Sequence, residues 1–399
     1  MNYPQLFGRR ALLTGAASTL SAFCLAGGVA RAGQTQDADQ GRSDGLSARA
    51  DELRGRLRGE RTAFEEQAEA WRRSYAEYAA AVRSAWGQGA TLPEGLVLAE
   101  YNSASGTRRV VEFEEGRAEV SALVSLDESP ESPAVRNALA KELEGMLTEG
   151  VDQRTLESLA TAPGAPERSG QPVLANQVDF AGGSAASFAE KVASGPLDTD
   201  IIEGADGIRR QIVSVDFRLV PDHIARRAAQ YVKPVESNAD EYAVNTPIVW
   251  AVIETESAFQ PRAKSPVPAF GLMQLVPASG GRDAYRYVYR QDRIVSEDFL
   301  YSPENNIKLG TAYLRLVYDN YLNWIEDDRT RLWATVASYN TGSGNVRKAF
   351  GRNEREASRV VNAMTSDEAF EHMQRRLPYE ETRQYIVKVR DKSRKYGSI

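Results

Sequence analysis

After Pro221 the strand pattern stops. From there to Ile399 apolar residues recur three or four apart, in runs punctuated by Pro, Gly and Asn, without the alternation of a half-buried strand. This restricts the C-terminal part, placed at 226–399, to an all-α domain. Upstream the texture is mixed. Residues 48–85 predict a long helix through Leu53, Leu57, Phe64, Ala68, Trp71, Tyr75 and Tyr78. Gly95–Tyr101, Arg109–Phe113 and Arg117–Leu123 predict strands, the last two joined as a hairpin across Glu114-Glu115-Gly116. Ile208–Val220 is the strongest strand pattern and Val178–Phe180 a short one, with helices at 133–147 and 187–192. The expected fold is an α+β N-terminal domain over 48–225, of unknown role, followed by the all-α domain.

Ahead of these, residues 1–32 predict a targeting segment. Arg9 and Arg10 precede a weakly apolar stretch from Ala11 to Val29, then Ala30-Arg31-Ala32, a small-x-small cleavage pattern. The arginine pair and modest hydrophobicity favour twin-arginine export. Phe23 stands before Cys24 where a lipidated cysteine wants a small residue, which favours a periplasmic protein, at most loosely membrane-associated, over an outer-membrane lipoprotein. Residues 33–47 are polar and without apolar period, so a flexible tether is expected.

Composition narrows the chemistry. One cysteine and two histidines, His223 and His372, argue against a disulfide framework, a zinc centre or a Ser-His-Asp site. No metal or cofactor is expected, and the work falls to carboxylates, tyrosines and amides. The net charge of −6 argues against a nucleic-acid binder. Residues 221–399 nevertheless hold 26 Lys+Arg against 23 Asp+Glu, which suits a partner bearing carboxylates or reflects drift on a solvated surface.

The most informative helix runs from Thr246, an N-cap residue before Pro247, to Ser257. At ~100° per residue, Ile248, Val249, Val252 and Ile253 define one apolar face, with Glu256 near its centre and Glu254 almost opposite. A carboxylate on a core-facing stripe is costly unless paired, and burial raises a glutamate's pKa, as a general acid requires. A structural glutamate satisfied by an arginine is the competing reading. Three further fragments follow in order. Gly271-Leu272-Met273-Gln274 comes after a proline-rich turn and reads as a short helix over 270–276. Ser338-Tyr339-Asn340 ends another helix, and Tyr385 lies in the last one.

The ordered set Glu256-Ser257-x-Phe259, Gly271-Leu272-Met273-Gln274, Tyr339-Asn340 and Tyr385 resembles the family 1 lytic transglycosylases, whose catalytic domain is lysozyme-like, of the goose type. Ser302-Pro303-Glu304-Asn305-Asn306-Ile307 fits the same pattern, and the resemblance covers about 230–396. The resemblance extends to membrane-bound members carrying an N-terminal domain, which matches more loosely. Ser338 stands where alanine is usual. The resemblance implies cleavage of the β-1,4 bond between N-acetylmuramic acid and N-acetylglucosamine in peptidoglycan, with glycan strands as the partner and 1,6-anhydro ends as products. It implies Glu256 as the sole acid/base, hydrogen-bonded by Tyr385. Ser257, Met273, Gln274, Tyr339 and Asn340 would bind substrate. Glu254→Gln is expected to be nearly silent. A goose-lysozyme-like hydrolase and a non-catalytic peptidoglycan-binding protein are the alternatives.

Overall fold

A computed structural model describes residues 36–152 and 168–397 of the chain. The export signal and Cys24 lie outside the described residues. The chain divides into two compact units, one up to Gln67 and one from Ala68 to Ile399. Helix α1 spans Gln36–Trp86. The tether expected at 33–47 is therefore helical from Gln36 on. Once the pattern beyond residue 48 nucleates a helix, each added residue needs only a helical backbone, not an apolar face.

Within the second unit, five antiparallel strands form one sheet in the order β1-β2-β3-β7-β6. They are β1 (Val97–Asn102), β2 (Thr107–Glu112), β3 (Arg117–Val124), β6 (Asp198–Glu203) and β7 (Arg209–Arg218). A small ladder pairs β4 (Val151–Asp152) with β5 (Arg168–Ser169). Alternation along the strands gives the sheet two apolar faces. Val110 and Ile212 point to Tyr78, Val82 and Trp86 of α1. Val111, Ala118, Val120, Val213 and Val215 point the other way, to α2 (Pro133–Thr148) and α3 (Ala185–Ala193). Val178–Phe180, expected as a strand, is not one. β6 went unexpected because Asp-Thr-Asp-Ile-Ile-Glu is mostly exposed and carries no apolar alternation.

The helical part follows from α4 (His223–Ala228) and α5 (Val232–Glu241). α6 (Thr246–Ser257) lies in the main core, with Val249, Val252 and Ile253 fully buried beside Trp333, Val336, Ile386 and Val389. Around it stand α7 (Arg282–Tyr289), α8 (Glu297–Tyr301), α9 (Pro303–Leu316), α10 (Asp328–Thr341), α11 (Ser343–Phe350), α12 (Glu354–Val361), α13 (Ser366–Arg376) and α14 (Glu380–Ser393). Among the described residues no helix is long and apolar enough to cross a membrane.

The boundary expected at 225/226 falls inside one compact unit. Two buried cations explain why. Arg227 donates from Nε to Ala258 O at 2.8 Å, from Nη2 to Phe113 O at 2.9 Å, and from Nη1 to Gln177 Oε1. Burial pushes its pKa down to about 10. Lys392 donates from Nζ to Glu114 Oε1 at 2.9 Å and to Glu254 O at 3.3 Å. The β2–β3 tip is thus fastened to the end of α6 and to α14. Gly116 at that tip has φ of +62°, and a Cβ there would lie 2.6 Å from His223 Nε2, so only glycine fits.

Candidate active site

α6 is capped by Asn245, whose side chain accepts from Ile248 N, one residue ahead of the expected Thr246. The helix ends in two residues with positive φ, Ala258 and Phe259. Glu256 sits in its last turn, 7% exposed. The hydroxyl of Tyr385, on α14, donates to Glu256 Oε1 at 2.9 Å, and both side chains are buried. That hydrogen bond fixes the orientation of the Glu256 carboxyl group. Glu254 faces elsewhere, as helical geometry requires. Its carboxylate accepts from Lys395 Nζ at 3.0 Å and from Tyr396 Oη at 2.6 Å. It is more buried than Glu256, at 3% exposed. It ties the C-terminal end of the chain to the core.

The stretch expected as a helix over 270–276 is a tight turn. Phe270 and Leu275 exchange backbone hydrogen bonds at 3.1 Å, while Gly271 (φ +76°) and Gln274 (φ +46°) take left-handed backbone. A Cβ at Gly271 would collide with Leu300 O and Asn306. Ser257 and Met273, expected to touch substrate, are wholly buried. Ser257 Oγ donates to Leu272 O at 2.7 Å, joining the end of α6 to the turn. Met273 N donates to Asn306 Oδ1 at 2.7 Å, and Met273 O accepts from Tyr339 Oη at 2.7 Å. Its side chain packs against Gly310. Both residues hold the turn. Gln274, 4% exposed, donates from Nε2 to Ala263 O at 2.9 Å and Gly271 O at 3.0 Å.

Tyr339 and Asn340 close α10 and are half-buried. Asn340 Oδ1 accepts from Thr382 Oγ1 at 2.7 Å, on the same helix as Tyr385. Glu256, Ser257, Met273, Gln274 and Tyr339 are thus linked through the turn, and Tyr385 and Asn340 join them from α14 and α10. Sequence reasoning missed Asn306 as a site residue. Its wholly buried amide serves Met273 N and also donates to Phe270 O and Leu300 O at 2.8 Å each. The doubled asparagine after Ser302-Pro303 was its signal. Among the described residues no cluster of His, Cys, Asp or Glu could hold a metal ion.

A family model described as "Transglycosylase SLT domain" matches residues 233–362, which hold every expected site residue except Tyr385. Over 328 residues the chain is 31% identical to membrane-bound lytic murein transglycosylase C of Sodalis glossinidius (strain morsitans), covering 80% of this chain and 88% of the relative. The chain belongs to the membrane-bound lytic murein transglycosylase C family. The protein of that name from Klebsiella pneumoniae is 30% identical, with 80% and 87% covered. The match reaches well upstream of the helical part, so the residues of the sheet fall within it. Two solved structures are also similar. One is an inactive mutant of lytic transglycosylase Slt from Pseudomonas aeruginosa (28% identity, TM-score 0.33, 41% of this chain and 23% of that one). The other is the 70-kDa soluble lytic transglycosylase complexed with bulgecin A (27% identity, TM-score 0.35, 44% and 25%). The chain spans about a quarter of the length of those structures.

Proposed function

We propose that the protein is a peptidoglycan lytic transglycosylase working in the periplasm on glycan strands, in loose association with the membrane, and that Glu256 is its single acid/base. The observation that carries this reading is the buried Glu256–Tyr385 pair at 2.9 Å, with Glu254 turned away into its own contacts. Most glycosidases place two carboxylates about the scissile bond. Here the substrate supplies the second function. Glu256 gives its proton to the glycosidic oxygen as the bond from that oxygen to C1 of N-acetylmuramic acid breaks. The oxygen of the 2-acetamido group forms a bond to C1 in its place. Glu256, now ionised and stabilised by the Tyr385 hydroxyl, takes the proton of the C6 hydroxyl. The C6 oxygen then bonds to C1 and releases the acetamido oxygen, which leaves a 1,6-anhydro ring and a carboxylic acid ready for the next turn. No water is consumed.

Asn340 and Gln274 hold the sugar, and Tyr339 fixes the turn beneath it. The test is the form of the released muropeptides. Products one water lighter than hydrolysis products, and unchanged by borohydride, support the reading. Products that borohydride reduces would replace it with a lysozyme-like hydrolase, and sacculi bound without soluble products would replace it with a binding protein.

A further inference from the structure

A cavity of about 240 Å³ opens beside the site, bordered by β1, the loop after α6 and α8. It begins at the residues that frame the acid. Gly95 is on its wall, and a Cβ there would stand 3.1 Å from Glu256 O and 3.8 Å from Gln274 Oε1. Ala263, also on the wall, accepts the hydrogen bond of Gln274 Nε2. The volume falls below the ~300–1,000 Å³ of sites that take drug-sized ligands. It suits the head of one amino-acid residue and not a disaccharide.

Two opposite charges line it without meeting. The ammonium of Lys264 lies 5.3 Å from the centre of the Trp71 ring, and Glu297 stands in the first turn of α8. They feel each other electrostatically, yet neither side chain forms an ion pair or hydrogen bond among the described residues. Burial pushes the Lys264 ammonium down and the Glu297 carboxyl up from their ordinary values. Longer-range attraction and the Trp71 ring offset part of that cost, but neither charge is met by an ion pair or hydrogen bond among the described residues. A ligand carrying both signs would offset the rest. The other charged groups on the wall, Arg262 against Glu94, Glu100, Asp152 and Asp298, leave an acidic surplus that disfavours a plain polyanion.

We propose that this cavity takes an amino–carboxylate head group, its carboxylate on Lys264 and its ammonium on Glu297. The source would be the diamino-diacid residue of a stem peptide attached to the glycan strand, an inference that rests on the peptidoglycan reading above. The site would make the enzyme prefer strands that still carry their peptides.

The test uses the full chain and one glycan in two forms, peptide-bearing and stripped of peptides by an amidase. Wild-type kcat/KM is expected to be at least about tenfold higher on the peptide-bearing form. Lys264→Met and Glu297→Gln should each remove most of that ratio, the scale expected when one partner of a desolvated charge pair is truncated. Lys264→Arg, which keeps the cation, should retain it. Both truncations should hold or raise Tm, because each deletes a charge that burial penalises. Equal kcat/KM on the two forms, or a wild-type ratio in both truncations, would overturn the proposal. So would free diamino-diacid that altered turnover of stripped strands, since the ligand would then be a free amino acid. Absence of anhydro products from both forms would count against the function itself, a separate failure.

Discussion

Glu256 and Glu254 are two residues apart on one helix and live in different surroundings. Glu256→Gln should keep the fold and glycan binding and lose about 10²–10⁴ in kcat, the range for a lost acid/base. Glu254→Gln should do the reverse, keeping turnover while losing about 1–3 kcal/mol of stability, since its buried carboxylate serves Lys395 and Tyr396. Denaturant melts beside product assays separate the two, and matching behaviour would defeat the assignment. Tyr385→Phe removes the hydroxyl that hydrogen-bonds Glu256. It should cost about ten- to a hundredfold in kcat with little change in Tm, the value of a hydrogen bond to an ion. The placement of Glu256 was legible in the sequence because helical angle alone puts it on the apolar face. The hydrogen bonds by which Ser257 and Met273 hold the turn were not. A motif reports which residues occur together, and it cannot distinguish a groove wall from the backbone scaffold behind it.

At the scale of elements, the turn from Phe270 to Leu275 depends on Asn306 reaching across from α9. Asn306→Ala leaves Met273 N, Phe270 O and Leu300 O without that partner. A loss of about 2–4 kcal/mol is expected, together with lower kcat, because Tyr339 and Gln274 hang on the same turn. Unchanged activity in a variant of that stability would mean the turn does not position the site. The latch between the β2–β3 tip and α14 should respond to acid. Burial raises the Glu114 pKa, but the hydrogen bond and charge of Lys392 prevail and hold it below its ordinary 4.5. The folded-state pKa is thus depressed. The latch contributes fully above pH 4.5 and is lost as pH falls through the lower, folded value. Lys392→Met should flatten that acid limb of the stability profile. Most helices and the hairpin strands were legible from periodicity and turn residues. The 270–275 turn was not, because its apolar spacing suits a helix and left-handed backbone at Gln274 has no marker in the sequence. β6 was hidden by its acids.

At the scale of the molecule, texture divides the chain near Pro221, whereas packing does not. Arg227 reaches Phe113 on one side and Ala258 on the other, so the sheet and the end of α6 share one buried cation. A single arginine in sequence carries no sign of such a bridge, which is why a domain boundary was expected there. The central claim is that one carboxylate closes a ring and no water enters, since an intramolecular hydroxyl can act at an effective ~10⁵–10⁸ M. The most direct measurement is digestion of purified sacculi in water enriched in heavy oxygen, followed by mass analysis of the released muropeptides. The account predicts anhydro ends with no heavy oxygen at the anomeric carbon of N-acetylmuramic acid. Reducing ends carrying that label in most of the product would contradict it.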